Sequence, residues 1–199
     1  MKTEQEIRNA FRLRVDDDIL VRLAEECDKD IYREMLHSVG HREEKLEFET
    51  DWKTKDSIRH IIEKTGGFDF AIFFKSKLVG TIRFKMIERR WRERSSNIGY
   101  ELDPKFRGLG LVTKSLRECI ELVYQNLDLD RLEVDGDVKN LKSEAVVKRL
   151  GFHFEGIKRH ERWENGVPVD FWLYSMIRED WTAARETKGS NHSCEATTA

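Results

Sequence analysis

"GYELDPKFRGLGLVTKSLRECIELV", Gly99 to Val123, sets a strand, a glycine turn and a helix in immediate succession. The strand reading begins at Asn97 in "NIGYELD". Pro104 and Arg107 then lead into Gly108 and Gly110, after which Leu116, Cys119, Ile120 and Val123 fall at i, i+3, i+4 and i+7 on one apolar helix face. That order gathers several backbone N–H groups and the positive end of a helix dipole at one point, and such a point suits an anion. Glycines let the backbone come within hydrogen-bond reach of a phosphate with no Cβ in the way, and Arg107 adds a fixed positive charge. A pyrophosphate is the natural guest. The common nucleotide fingerprints fail, however. A P-loop needs G-x-x-x-x-G-K before Ser or Thr, and a dinucleotide loop needs a third glycine where Thr113 stands. Taken alone, the turn reads equally as a plain strand-to-helix connection.

Downstream, "RLEVDGD" (131–137) reads as a strand and "NLKSEAVVKRLG" (140–151) as a helix stopped at Gly151. "FHFEGIKRHERWENGVPVDFWLYSMI" (152–177) reads as a hairpin turning at Asn165 and Gly166. Upstream, "FDFAIFFKSKLVGTIRFKMI" (68–87) is a hairpin with strands near Phe68–Phe74 and Leu78–Ile87, followed by the charged loop or strand tip "ERRWRERSS". Ile7 to Val15 reads as a first strand. Ile19, Leu20, Leu23 and Ala24 behind an acidic start predict helix over most of Asp16 to Val39, and Ile58, Ile61 and Ile62 predict a short helix ending at Gly66 and Gly67. The fold class implied is α/β, with a mixed central sheet rather than a doubly wound parallel one. One domain is expected over 1–182, with the polar, small-residue stretch 183–199 a disordered tail.

Composition narrows the function classes. Of 199 residues 37% are charged, but 36 Lys and Arg against 38 Asp and Glu leave a net charge of only -2, so no global field recruits nucleic acid. Cys27, Cys119 and Cys194 are odd in number, far apart and without C-x-x-C spacing, which speaks against a disulfide framework or a metal site and for a reducing compartment. No apolar run approaches the roughly 20 residues that span a bilayer. The start, "MKTEQEIRNAFRLR", has no apolar leader-like core. A cytoplasmic protein with no membrane partner is expected.

"GYELDPKFRGLGLVTKSL" resembles the acyl-CoA pyrophosphate segment of the GNAT acetyltransferases, in which Gln or Arg is followed at the third position by Gly and at the fifth by Gly or Ala. Arg107 and Gly110 match, and Val112 stands at the last position. "NLKSEAVVKRLGF" is similar to the second CoA segment of the family, with Asn140, Ser143, Gly151 and Phe152 in register. "NGVPVDFWLYSM" resembles the last hairpin of one branch, the Rim-type ribosomal-protein N-terminal acetyltransferases that modify Ser or Ala. The resemblance covers roughly Phe68 to Asp180. It implies a single GNAT-like domain whose mixed sheet has about seven strands flanked by helices. It also implies acetyl-CoA as cosubstrate, with no metal, and a homodimer by analogy alone.

Further implications attach to single residues. The pyrophosphate would lie on the amides of Phe106, Arg107, Gly108, Leu109, Gly110, Leu111, Val112 and Thr113, with Arg107 and Lys105 supplying charge. Asn140 would hold the pantetheine arm, and the backbone N–H near Leu102 would polarise the acyl carbonyl. Many family members protonate the leaving thiolate with a Tyr where this chain has Val147. In the N-terminal acetyltransferase branch a Ser at the position of Ser143 takes that role. Asn140 and Ser143 read equally as helix-capping residues.

The chemistry requires a neutral amine. An α-amino group has a reference pKa of about 8 against about 10.4 for Lys, so a carboxylate acting through water suffices as base. Glu101, in the strand before the glycine turn, and Glu161 in "KRHERWENG" are the candidates, with His160 a third and a solvated glutamate the plain alternative. Trp163 is the aromatic read as lining an acceptor cleft, while Trp91, Phe171 and Trp172 read as packing residues. The acceptor expected is a protein N-terminus. A polyamine, an aminoglycoside or an aminoacyl-nucleotide keeps the same chemistry, and a non-catalytic acyl-CoA binder would bind without turnover.

Overall fold

The computed structural model describes residues 11–28, 31, 34, 66–87 and 94–192. Eight strands form one sheet, in the order β1-β2-β3-β4-β5-β6-β8-β7, one more than the seven expected. They are β1 Arg12–Arg14, β2 Ile19–Leu23, β3 Gly67–Phe74, β4 Lys77–Ile87, β5 Ser95–Leu102, β6 Arg131–Asp137, β7 His153–Glu164 and β8 Val167–Ile177. Neighbours run antiparallel except β5 and β6, so the sheet is mixed. The α-helices among the described residues are α1 Leu111–Asn126, α2 Leu141–Arg149 and α3 Arg178–His192.

The extra strand comes from a misread stretch. Residues 19–23 were expected to be helical, yet Ile19, Val21 and Leu23 are buried while Leu20 and Arg22 are only half-buried, the period-2 pattern of a strand. The acidic start is no helix N-terminus either. Asp16 Oδ1 accepts from the N–H groups of Asp18 and Ile19 at 3.0 and 2.9 Å and closes the turn between β1 and β2. The remainder of the predicted helix, apart from Ala24 and Glu25, which are not helical, the 3-10 turn Glu26–Asp28 and helical positions 31 and 34, lies outside the described residues. So do the helix around Ile58 to Ile62, the N-terminal part of Ile7 to Val15, Trp91 and most of "ERRWRERSS".

One sheet face makes the core. Val21, Phe70, Ile72, Ile82, Phe84, Ile98 and Leu132 join Leu116, Cys119, Ile120 and Val123 of α1 and Val147 of α2 in a single buried cluster. Each aliphatic or aromatic side chain so buried contributes about 1.5–3 kcal/mol. Burial pushes the Cys119 thiol well above its ordinary value, so it packs as a small hydrophobe.

α3 runs ten residues past 182, through 183–192, where a disordered tail was expected, and residues 193–199 lie outside the described residues. Its start is anchored by partners remote in sequence: Trp181 stacks on Tyr124 at 5.1 Å and donates from Nε1 to Glu121, and Arg185 bridges Glu121 at 3.0 Å. Arg178 is the main tie. Its guanidinium lies over the Tyr124 ring and donates to the carbonyls of Tyr124, Leu127 and Leu129, each at 2.9 Å, where α1 ends with unpaired C=O groups. Arg178→Ala is expected to destabilise the fold by about 3 kcal/mol, and Arg178→Lys to recover less than half of it because one ammonium cannot span three carbonyls. Urea unfolding measures both.

Candidate active site

The glycine turn is built as a donor cradle. After β5, Asp103 caps the 3-10 turn Pro104–Phe106 by accepting from Lys105 N–H at 2.9 Å. Gly108 and Gly110 follow in the left-handed region, at φ 83° and 73°. At neither would a Cβ meet any atom within 4 Å, so it is the positive φ, not crowding, that calls for glycine. The first intrahelical bond of α1 is Lys114 N–H to Gly110 C=O at 3.0 Å, so the amides of Leu111, Val112 and Thr113 are the donors that the helix itself leaves over. Arg107 to Gly110 are exposed beside them. Val112 is buried to 9% exposure, packed into the core side of α1 rather than standing free over the turn.

Next to this cradle the sheet opens. The parallel ladder of β5 and β6 pairs Ser95, Ser96 and Asn97 with Arg131, Leu132 and Glu133, and there it ends, although both strands run on to Leu102 and Asp137. Asp103 N–H donates to Val79 C=O on β4, so alternation turns the backbone groups of Glu101 toward β4 and those of Tyr100 and Leu102 toward the gap. The Leu102 amide therefore faces the gap.

Asn140 is the N-cap of α2, accepting from Ser143 N–H at 3.2 Å, so its capping role is observed. Ser143 does not cap. Its Oγ lies 2.6 Å from the Tyr100 hydroxyl, which also donates to the Ser143 carbonyl at 3.0 Å, a link from β5 to α2 across the gap. Burial pushes the Tyr100 phenol up to about 12, with the Ser143 hydrogen bond pulling the other way, so it stays protonated. Sequence reading missed Tyr100. Alternation places it on the core face with Ile98, but nothing local signals a partner 43 residues away.

The opposite face of the gap carries charge. Asn97 and Glu101 lie on it in β5, and Asp135 in β6 accepts from Asn97 Nδ2 at 3.2 Å and from Lys158 Nζ at 2.6 Å. Lys158 also reaches Glu161 at 3.5 Å. In a regular strand residues three apart face opposite ways. The ladder shifts between Lys158 and Arg162, with His160 at φ 54°, and this bulge brings Glu161 round to Lys158. The sheet therefore brings Glu161 to the face that bears Glu101, while Ser143 belongs to the other. His160 donates its backbone N–H to Asp170, and Trp163 is 65% exposed beside it. Trp172 is core, and Phe171 carries the Arg162 guanidinium over its ring.

The left-over amides of α1 thus lie beside a split parallel pair, with the Tyr100 and Ser143 hydroxyls on one face and carboxylates on the other. Residues 16–153 match the acetyltransferase (GNAT) domain model. The chain belongs to the GNAT acetyltransferase family. Relatives extend over nearly its whole length. YdaF of Bacillus subtilis (strain 168), provisionally assigned as a ribosomal N-acetyltransferase, is 28% identical over 180 residues, spanning 86% of this chain and 97% of that protein. The ribosomal protein uS5-alanine N-acetyltransferase of Escherichia coli (strain K12) is 24% identical over 180 residues, spanning 85% and 92%. Among solved structures, RimL, the ribosomal L7/L12 α-N-protein acetyltransferase in complex with coenzyme A, superposes with a TM-score of 0.70 at 20% identity, over 85% of this chain and 99% of that one. This GNAT enzyme is an N-acetyltransferase that draws its acetyl group from acetyl-CoA. Among the described residues no helix is long and apolar enough to cross a membrane, and no group of three His, Cys, Asp or Glu could hold a metal ion.

Proposed function

We propose that this GNAT enzyme acetylates the N-terminal α-amine of a protein, of the ribosomal-protein type, by direct transfer from acetyl-CoA. The observation that carries the catalytic part is the ending of the β5–β6 ladder at Asn97 and Glu133, beside the left-over amides of Leu111 to Thr113. Support for the acceptor comes from the uS5-alanine N-acetyltransferase and from YdaF, provisionally assigned to the same class, both of which align over most of both chains.

In this reading the amides of Gly108 to Thr113 and the Arg107 guanidinium hold the pyrophosphate, while the N–H groups of Phe106 and Arg107, expected to join them, are taken by the carbonyls of Asp103 and Pro104 at 2.9 and 3.3 Å; Asn140 adds its side chain to the pantetheine arm while capping α2. The Leu102 N–H polarises the thioester carbonyl. Glu101 and Glu161, on the charged face, accept the proton of the attacking ammonium through water. An α-amine with a reference pKa of about 8 needs only modest help at neutral pH. Ser143 Oγ–H serves the departing sulfur on the other face. The buried Cys119, its thiol pushed up by burial, favours transfer without an acyl-enzyme.

The test is thiol release from acetyl-CoA over three peptides: one starting with Ser, one with Ala, and one with a blocked N-terminus and an internal Lys. Release with the first two, with the acetyl mass located on the terminal residue, is the expected result. Release only with the Lys peptide or with small amines would move the enzyme to another acceptor class.

A further inference from the structure

Ser143 cannot serve a sulfur while its own hydroxyl donates to Tyr100. Tyr100 has one proton. When it goes to the Ser143 carbonyl, 3.0 Å away, the 2.6 Å contact between the two hydroxyls must be Ser143 Oγ–H donating to the phenol oxygen. The serine proton then points at the Tyr100 oxygen and not at a ligand. If the phenol proton turns instead to Ser143 Oγ, that oxygen is satisfied as an acceptor and its own proton is released to a new partner. Both arrangements keep the 2.6 Å contact, so the change costs one long hydrogen bond to the carbonyl and no movement of heavy atoms. Asn140 fixes the backbone of Ser143 through its N–H, which leaves the hydroxyl directions as the free variable.

We propose that Tyr100 is a positioning residue for the leaving thiol: its hydroxyl holds Ser143 Oγ across the gap and, by turning its single proton from the Ser143 carbonyl to Oγ, frees the serine hydroxyl to face the departing sulfur. This rests on the role given to Ser143 under Proposed function. As the C–S bond breaks, its electron pair stays on sulfur, and Ser143 Oγ–H donates to it. Neither hydroxyl gives up its proton for good. The proton that finally neutralises the thiolate is the one the acceptor nitrogen loses to the carboxylate face, exchanged through solvent. A phenol that burial holds protonated is suited to this, because it can donate at every working pH without becoming the acid.

The experiment uses the full chain and whichever primary amine, peptide or small molecule, gives most thiol release with the wild type. Tyr100→Phe is expected to lower kcat by roughly 10- to 100-fold, with the calorimetric Kd for acetyl-CoA within about twofold. The Tyr100→Phe, Ser143→Ala double variant is expected to be no slower than Ser143→Ala alone, because the two act as one unit. Multiplying losses, or an unchanged kcat in Tyr100→Phe, would overturn the proposal. Should Tyr100→Phe fold poorly, 2,3,5-trifluorotyrosine at position 100 keeps the shape and brings the phenol's ionisation into the working range. kcat must then fall on the alkaline side where the wild type's does not, and a flat profile overturns the proposal. Turnover with small amines but not with peptides would sink only the acceptor reading, while no turnover with any amine would sink both.

Discussion

Gly110→Glu is expected to abolish acetyl-CoA binding, weakening it by at least about 100-fold, which is about 2.7 kcal/mol. Two effects add. Glu must adopt φ 73°, a conformation that costs an L side chain about 1–2 kcal/mol. Its carboxylate also stands in the open space over the amides of Leu111 to Thr113, competing with the pyrophosphate for the same donors and repelling it. The two can be separated. Gly110→Asn tolerates the left-handed backbone and brings no charge, so it should lose only a few-fold. Isothermal titration of the three proteins decides. Equal losses in Asn and Glu variants would make backbone strain the cause, and unchanged affinity in the Glu variant would put the phosphates somewhere other than the cradle.

That cradle was legible because everything it needs is contiguous. A strand, two glycines and the stripe Leu116, Cys119, Ile120, Val123 occupy Gly99 to Val123, and period alone separates them. The last hairpin was equally local: Asn165 and Gly166 sit at φ 50° and 77°, the turn their dipeptide predicts. Residues 19–23 were not legible. In so short an apolar run the helical spacing of Ile19, Leu20 and Leu23 competes with the alternation of Ile19, Val21 and Leu23, and only pairing with β3 decides for the strand. The site divides the same way. Asn140 and Ser143 stand in one short segment, and the capping role of Asn140, local to its own helix, was legible there, whereas Ser143 takes its partner from β5, 43 residues away. Glu161 is a candidate by type and neighbourhood alone. Its aim depends on a bulge at His160 that no residue pattern announces.

Trp172→Ala is expected to be the most damaging single change to the fold, costing about 3–5 kcal/mol through the lost burial and the cavity left behind. The indole is 1% exposed and meets Tyr174 edge-on, with ring centroids 5.7 Å apart. It also explains a glycine in mid-strand. Gly136 pairs with Trp172, and a Cβ there would stand 2.5 Å from Cζ2 and 2.9 Å from Cη2 of the ring, too close for an indole hemmed in on all sides. Gly136→Ala should therefore destabilise by about 1–3 kcal/mol as an overpacked pair. Combined with Trp172→Ala the same methyl enters space already empty, so the double variant should be no less stable than Trp172→Ala alone, with a coupling of at least about 1 kcal/mol. Trp172→Phe refines the point. The buried Nε1 has no hydrogen-bond partner among the described residues, and deleting that donor offsets part of the lost area, so Phe should cost far less than its lost volume suggests. Because Gly136 lies in the half of β6 that has parted from β5, the same contact holds one wall of the gap. Additive urea-unfolding energies for the two positions would show that the ring does not rest on Gly136 and that this wall is held in some other way.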